Sequence, residues 1–293
     1  MTIFRGCGTA IVTPFNEDGT VDFTTFGRNI NWQINEGIDA IIVCGTTGEA
    51  STMTDLEQIE VIRYCVETVN GRVPVIAGAG SNDTLHGIEL AKKAEEVGAD
   101  GLLLITPYYN KCSQNGLIEH FTATAQAVTI PCILYSVKGR TGVNIEPETV
   151  RILANHPNIV GLKEASGDIS QVAEILRIVP DDFAVYSGND DMVVPTMALG
   201  GVGYISVISN IAPSASVEMS RAFLEGDLNR ARELQLTMKP LIDLMFVDVN
   251  PIPVKAALNL MDRSELNYRL PLCPPEQALI DEIRVEMTSC GLI

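Results

Sequence analysis

The chain has 293 residues, 46% of them hydrophobic, and carries a formal net charge of −17 at pH 7. That length exceeds the usual single domain but suits one α/β barrel with a large core. The acidic balance argues against nucleic acid, whose phosphates need a basic footprint, and against anionic membrane surfaces. A small anionic substrate stays open, because a few cations inside a cleft can override the global field.

No apolar run is long enough to span a bilayer. The opening Met1-Thr2-Ile3-Phe4-Arg5-Gly6 lacks the charged and apolar regions of a secretory signal, so a soluble cytoplasmic protein is expected. Seven scattered cysteines without C-x-x-C spacing suggest packing thiols in a reducing compartment. His86, His120 and His156 have no neighbours at metal-ligand spacing, so no metal is expected. Gly78-Ala79-Gly80-Ser81-Asn82-Asp83 begins like a dinucleotide fingerprint but lacks its third glycine.

Short apolar runs recur along the chain, at 8–13, 40–44, 74–77, 101–106, 132–135, 159–163, 183–187 and 203–207. Helix-period stretches separate them, such as 55–69, 84–97, 117–128 and 190–199. Thr54-Asp55-Leu56-Glu57 reads as a capping box. Strands that are continuously apolar, not alternating, are buried on both faces, as in a parallel sheet. Eight such β-α repeats predict a (β/α)8 TIM barrel over 1–227. Residues 228–293 read as a helical extension packed on it, with Pro240, Pro251, Pro253, Pro271, Pro274 and Pro275 as breaks. A doubly wound open sheet is the structural alternative.

Catalytic groups of such barrels gather at the C-terminal strand ends. The sixth run ends in Gly161-Leu162-Lys163-Glu164. Desolvation lowers the pKa of a lysine toward the neutral amine, which attacks ketones. Of seven lysines, Lys92 and Lys93 fall on a helix face, and Lys111, Lys138 and Lys239 in polar or turn-like surroundings. Lys255 stands at a helix start where a solvated or capping role suffices, so Lys163 is the candidate Schiff-base former. A solvated loop lysine is the plain alternative.

Other strand ends supply Gly45-Thr46-Thr47-Gly48-Glu49, Thr106-Pro107-Tyr108-Tyr109-Asn110, Tyr135 followed by Arg140, Ser187-Gly188-Asn189-Asp190, and Ile205-Ser206. Imine chemistry needs a proton shuttle, which the Tyr135 phenol could provide with Thr46 and Tyr109. The Gly-Thr-Thr-Gly turn can offer hydroxyls and amides to one carboxylate, and Arg140 a bidentate fork to another. Taken singly, these read equally as a turn, a packed tyrosine and a surface arginine.

Together with Asn250-Pro251-Ile252-Pro253-Val254-Lys255 and Arg269-Leu270-Pro271, these motifs cover essentially the whole chain. They resemble the pyruvate-dependent class I lyase family that contains dihydrodipicolinate synthase and N-acetylneuraminate lyase, the former branch above all. The resemblance implies that pyruvate forms an imine on Lys163 and reacts as its enamine with L-aspartate 4-semialdehyde, with no cofactor beyond that covalent Schiff base. The product would be 4-hydroxy-tetrahydrodipicolinate for diaminopimelate and lysine synthesis. Carried over by position, Tyr135 is the general acid/base, and Thr46 and Tyr109 complete the relay. Thr47, Gly188 and Ile205 contact pyruvate, and Arg140 receives the semialdehyde carboxylate. A lyase for a 2-keto-3-deoxy sugar acid is the alternative within the family.

The resemblance further implies a homotetramer, a dimer of dimers, with Tyr109 inserted into the neighbouring subunit's site. The chain departs from the family in Tyr135-Ser136-Val137-Lys138-Gly139-Arg140, where a proline is usual in place of Lys138. Its loss is expected to free the backbone before Arg140, and Lys138 to add positive charge there. Lysine-inhibited members hold that amino acid at positions matching Ser51, Asp55, Gln58 and His86. With His86 in place of a carboxylate, and Asp55 expected to be held by first-turn amides, the chain is expected to be largely insensitive to L-lysine.

Overall fold

The computed structural model describes residues 2–293, leaving Met1 of the N-terminal stretch outside. Strands β1 (Gly6–Ala10), β2 (Ala40–Val43), β3 (Val75–Gly78), β4 (Gly101–Ile105), β5 (Cys132–Ser136), β6 (Ile159–Glu164), β7 (Ala184–Ser187) and β8 (Gly203–Ser206) pair in parallel and close in chain order. Helices α1 (Phe23–Asn35), α2 (Asp55–Val69), α3 (Thr84–Glu96) and α4 (Gln114–Gln126) follow the first four strands. After β5 come α5 (Lys138–Thr141) and α6 (Pro147–Leu153), and after β6, β7 and β8 come α7 (Ile169–Ile178), α8 (Val193–Ala198) and α9 (Pro213–Leu224). This is the expected (β/α)8 barrel.

Successive strand residues point to opposite sides. Ile42, Ile76, Leu103, Ile133, Tyr135 and Ile205 fill the lumen, whereas Ile41, Val43, Ala77, Leu104, Leu134 and Val185 pack under the helices. Both faces are buried, which explains the unbroken apolar runs. Asp22, Thr54, Asp83, Ser113, Asp168 and Asp227 each cap a helix by accepting from a first-turn amide. Glu57, read as the other half of a capping box, is held chiefly by Arg269, whose Nη1 donates to Oε2 at 2.6 Å.

The β5–β6 pairing carries one irregularity. Cys132 pairs with Ile159 but Ile133 with Gly161, so Tyr135 falls level with Lys163.

Two element readings change. The first strand ends at Ala10, short of 8–13, because Val12 turns away to join the C-terminal helices. The helix read at 190–199 is a single 3-10 turn, Asp190–Met192, followed by α8.

Beyond the barrel lie α10 (Leu228–Leu244), α11 (Ile252–Leu260) and α12 (Gln277–Ser289). Pro240, read as a break, sits inside α10 without ending it. Leu236, whose carbonyl loses that hydrogen bond, is solvent-exposed. Met238, Ile242, Val254, Leu258 and Ile283 form one cluster with Val12, Val207 and Ile208, so the extension packs on the segments leaving β1 and β8. Gln235 of α10 donates to the Asp190 carbonyl at 2.8 Å. No helix among the described residues is long and apolar enough to cross a membrane.

Candidate active site

Lys163 lies on the inner face of β6, 6% exposed, its Nζ 4.3 Å from the ring centroid of Tyr135 on the neighbouring strand. No carboxylate of the described residues lies within salt-bridge distance of that nitrogen. Gly188 gives the side chain its room. A Cβ there would stand 3.1 Å from Lys163 Cε and 2.6 Å from Ala165 Cβ. Ile205, on the inner face of β8, packs in the same lumen layer as Tyr135.

Lys255 corrects the elimination made from sequence. It is not solvated but 0% exposed, with Nζ donating to Glu49 Oε1 at 2.6 Å and lying 4.4 Å from the Phe15 ring. Burial pulls its pKa down, and the Glu49 carboxylate works against that shift. The chain thus has two buried lysines, and the difference between them is the partner. An ammonium clasped by a carboxylate is a structural ion; the amine facing a phenol is free to react.

Residues 45–49 form a tight turn at the end of β2, with Gly48 N donating to Gly45 O and Glu49 N to Thr46 O. A Cβ on Gly48 would come within 3.2 Å of Cys44 N and Ile11 O, so any side chain here would press on backbone of the strand ends. Glu49 holds a left-handed conformation, φ 56°, anchored by Lys255. Thr47 is buried and its Oγ1 accepts from Asn250 Nδ2 at 3.0 Å. Thr46 lines a cleft of about 430 Å3 together with Tyr108, Tyr135, Arg140 and Thr141.

Arg140 stands at the edge of that cleft and its Nη2 donates to the Asn250 carbonyl at 3.0 Å. The backbone before it is not freed by the missing proline. Residues Lys138–Thr141 close one helical turn, with Arg140 N and Thr141 N both donating to Val137 O. The exposed Lys138 does not line the cleft. Ser136 faces outward, where its Oγ donates to Asn144 and accepts from Ile145 N.

Tyr109 does not join this group within the chain. The residue is 93% exposed and its backbone left-handed, φ 69°, while Tyr108 takes the place at the cleft wall. At the far end of the cleft Asp55 is held not by helix amides but by His86, whose Nε2 is 3.0 Å from Oδ1; Ser81 Oγ meets the other ring nitrogen at 3.0 Å.

Sequence reasoning placed Asp190 at the end of the seventh strand and the start of a helix but gave it no role. Its buried Oδ2 accepts from Val207 N at 2.9 Å and Ile208 N at 3.1 Å, tying β7 to the segment after β8. Burial raises its pKa, and the charge of Lys163 is among the influences that oppose this. Glu164, outward-facing beside Lys163, is similarly raised by burial and accepts from Ser166 N and Gln171 Nε2.

The model of the dihydrodipicolinate synthetase family matches residues 3–289. The chain is 55% identical to the 4-hydroxy-tetrahydrodipicolinate synthase of Acetivibrio thermocellus, over 99% of each chain. Dihydrodipicolinate synthase of Thermotoga maritima superposes with a TM-score of 0.98 at 42% identity, covering 100% of both chains. A monomeric dihydrodipicolinate synthase variant also gives 0.98 at 42% identity, covering 99% of this chain and 98% of its own. A barrel whose lumen lysine faces a tyrosine, matched over this length and at this identity, places the chain in the dihydrodipicolinate synthetase family.

Proposed function

We propose that Lys163 is the nucleophile of a class I aldolase-type condensation of pyruvate with L-aspartate 4-semialdehyde, giving 4-hydroxy-tetrahydrodipicolinate in diaminopimelate and lysine synthesis. The observation that carries the assignment is Lys163 Nζ facing Tyr135 at 4.3 Å with no carboxylate to hold it. The neutral amine adds to the pyruvate ketone, and Tyr135 delivers a proton to the departing hydroxyl as the imine forms. Loss of a methyl proton gives the enamine, whose carbon attacks the aldehyde. The amino group of the semialdehyde then displaces Lys163 from the imine carbon and closes the ring. The covalent imine supplies the electron sink, so the reaction draws on no metal or further cofactor.

Thr46 and Thr47 receive the pyruvate carboxylate in the turn after β2, with Gly188 and Ile205 bounding the same space. Arg140, at the cleft edge, takes the semialdehyde carboxylate through its planar fork. Tyr109 completes the proton relay from a neighbouring subunit of a homotetramer. Its exposed ring, and the exposed Leu56 and Leu85 on neighbouring helices, support that reading. Free cysteines, most of them buried, fit a cytoplasmic enzyme.

Borohydride reduction with pyruvate tests the nucleophile. One adduct per chain, on Lys163, is expected, and an adduct on Lys255 or Lys138 overturns the assignment. A panel of aldehydes offered with pyruvate tests the second substrate.

A further inference from the structure

Asn250 stands between α10 and α11, in the helical extension, yet both of its polar ends reach the candidate site. The residue is 5% exposed, and its side chain donates from Nδ2 to Thr47 Oγ1 at 3.0 Å, across 203 residues of sequence. Its backbone carbonyl accepts from Arg140 Nη2 at 3.0 Å. Oδ1 is buried and unpartnered, so the bond to Thr47 is the only one the side chain makes.

The direction of that bond has a chemical consequence. A threonine hydroxyl owns one proton. When its oxygen is already accepting from an amide, that proton turns elsewhere, and no acceptor of the described residues takes it. We infer that Asn250 is a positioning residue that makes Thr47 a committed hydrogen-bond donor toward the pyruvate carboxylate. A hydroxyl left to itself spends part of its time presenting lone pairs, which repel a carboxylate; the amide removes that choice. The inference rests on Thr47 contacting pyruvate, as proposed above.

Asn250→Asp keeps the shape and reverses the polarity. At neutral pH the new carboxylate accepts the Thr47 proton and sets a negative charge behind the turn. The KM for pyruvate is expected to rise about tenfold or more, with kcat at saturation within about threefold. As pH falls through the carboxylate range, the acid form regains a proton to donate and the KM returns toward wild type. Asn250→Ala is expected to raise the pyruvate KM severalfold, with the pH profile of the wild type. Arg140 is bonded to the backbone, so the KM for the semialdehyde is expected to change less than about twofold in both variants. Arg140, the Glu49–Lys255 pair, Asp248 and Tyr268 are the charged or titratable groups around this segment; measuring each variant as a ratio to wild type at each pH removes their contribution.

A pyruvate KM unchanged in Asn250→Asp overturns the inference, as do equal, pH-independent rises in Asn250→Asp and Asn250→Ala, which describe a strut. Should the aspartate variant not fold, an unchanged pyruvate KM in Asn250→Ala overturns it alone. Borohydride trapping separates the two levels. If wild type fails to trap on Lys163, the proposed function falls. If wild type and Asn250→Asp both trap at saturating pyruvate and the KM profiles coincide, only the role of Asn250 falls.

Discussion

Lys255 Nζ and Glu49 Oε1 meet at 2.6 Å with both side chains fully buried, joining the helical extension to the turn that holds Thr46 and Thr47. The ammonium also lies against the rings of Phe15 and Tyr268. Removing one partner leaves an uncompensated buried charge. Lys255→Met or Glu49→Gln is therefore expected to lower unfolding free energy by roughly 3–5 kcal/mol, read from denaturant midpoints. The double replacement by apolar residues should recover much of that loss, and equal losses for single and double variants would show that charge pairing is not what the fold needs there.

Tyr135→Phe should separate chemistry from binding. The ring and its packing against Lys163 remain, but the proton donor is gone, so kcat should fall by about 10²–10⁴ while the KM for pyruvate changes little. Steady-state kinetics showing full turnover with a raised KM would remove Tyr135 from the relay. Lys163→Arg should abolish trapping and keep the circular dichroism of the fold.

Glu164 offers a pH test with a defined sign. Burial raises its carboxyl above the ordinary 4.5 in the folded state, against the pull of Ser166 and Gln171. The folded protein therefore holds the proton more tightly than the unfolded chain, and this group favours folding below pH 4.5 and loses that contribution as pH rises through its folded pKa. Glu164→Gln keeps an acceptor for both donors without the buried charge. It should raise the thermal midpoint at neutral pH and leave it unchanged near pH 4; a lower midpoint at pH 7 would contradict this account.

Activity is expected to be flat in an L-lysine titration at saturating pyruvate. The one carboxylate on that wall of the cleft, Asp55, is engaged by His86, itself held by Ser81. An incoming ammonium would have to displace the imidazole. Cooperative inhibition at low lysine concentration would mean that it does.

The eight strands were legible because each is buried on both sides, so their residues form unbroken apolar runs that need no long-range information. Lys163 was legible because it ends such a run. Lys255 was not, because its partner Glu49 lies 206 residues away, and no local pattern announces such a partner. Ser136, next to Tyr135 in the chain, faces the opposite side of the sheet and belongs to the network of Asn144 and Gln171. Tyr109 shares a motif with the cleft-lining Tyr108 but turns its ring to the surface, and two adjacent tyrosines do not reveal which one points inward.

The irregular step in the β5–β6 pairing decides which chemistry the lumen contains. With unbroken pairing from Cys132 and Ile159, Tyr135 would come level with Leu162, whose side chain lies under the helices. The single surplus residue on β6 brings two inward-facing groups to the same height instead. Regular alternation of the same sequence from Ile159, with no residue surplus, would send the amine outward and the Glu164 carboxylate into the lumen, whereas deleting one residue near Val160 would leave Lys163 facing inward, level with Tyr135, on an unbroken strand. The place of the proposed nucleophile is thus specified by a miscount between two strands as much as by the lysine itself.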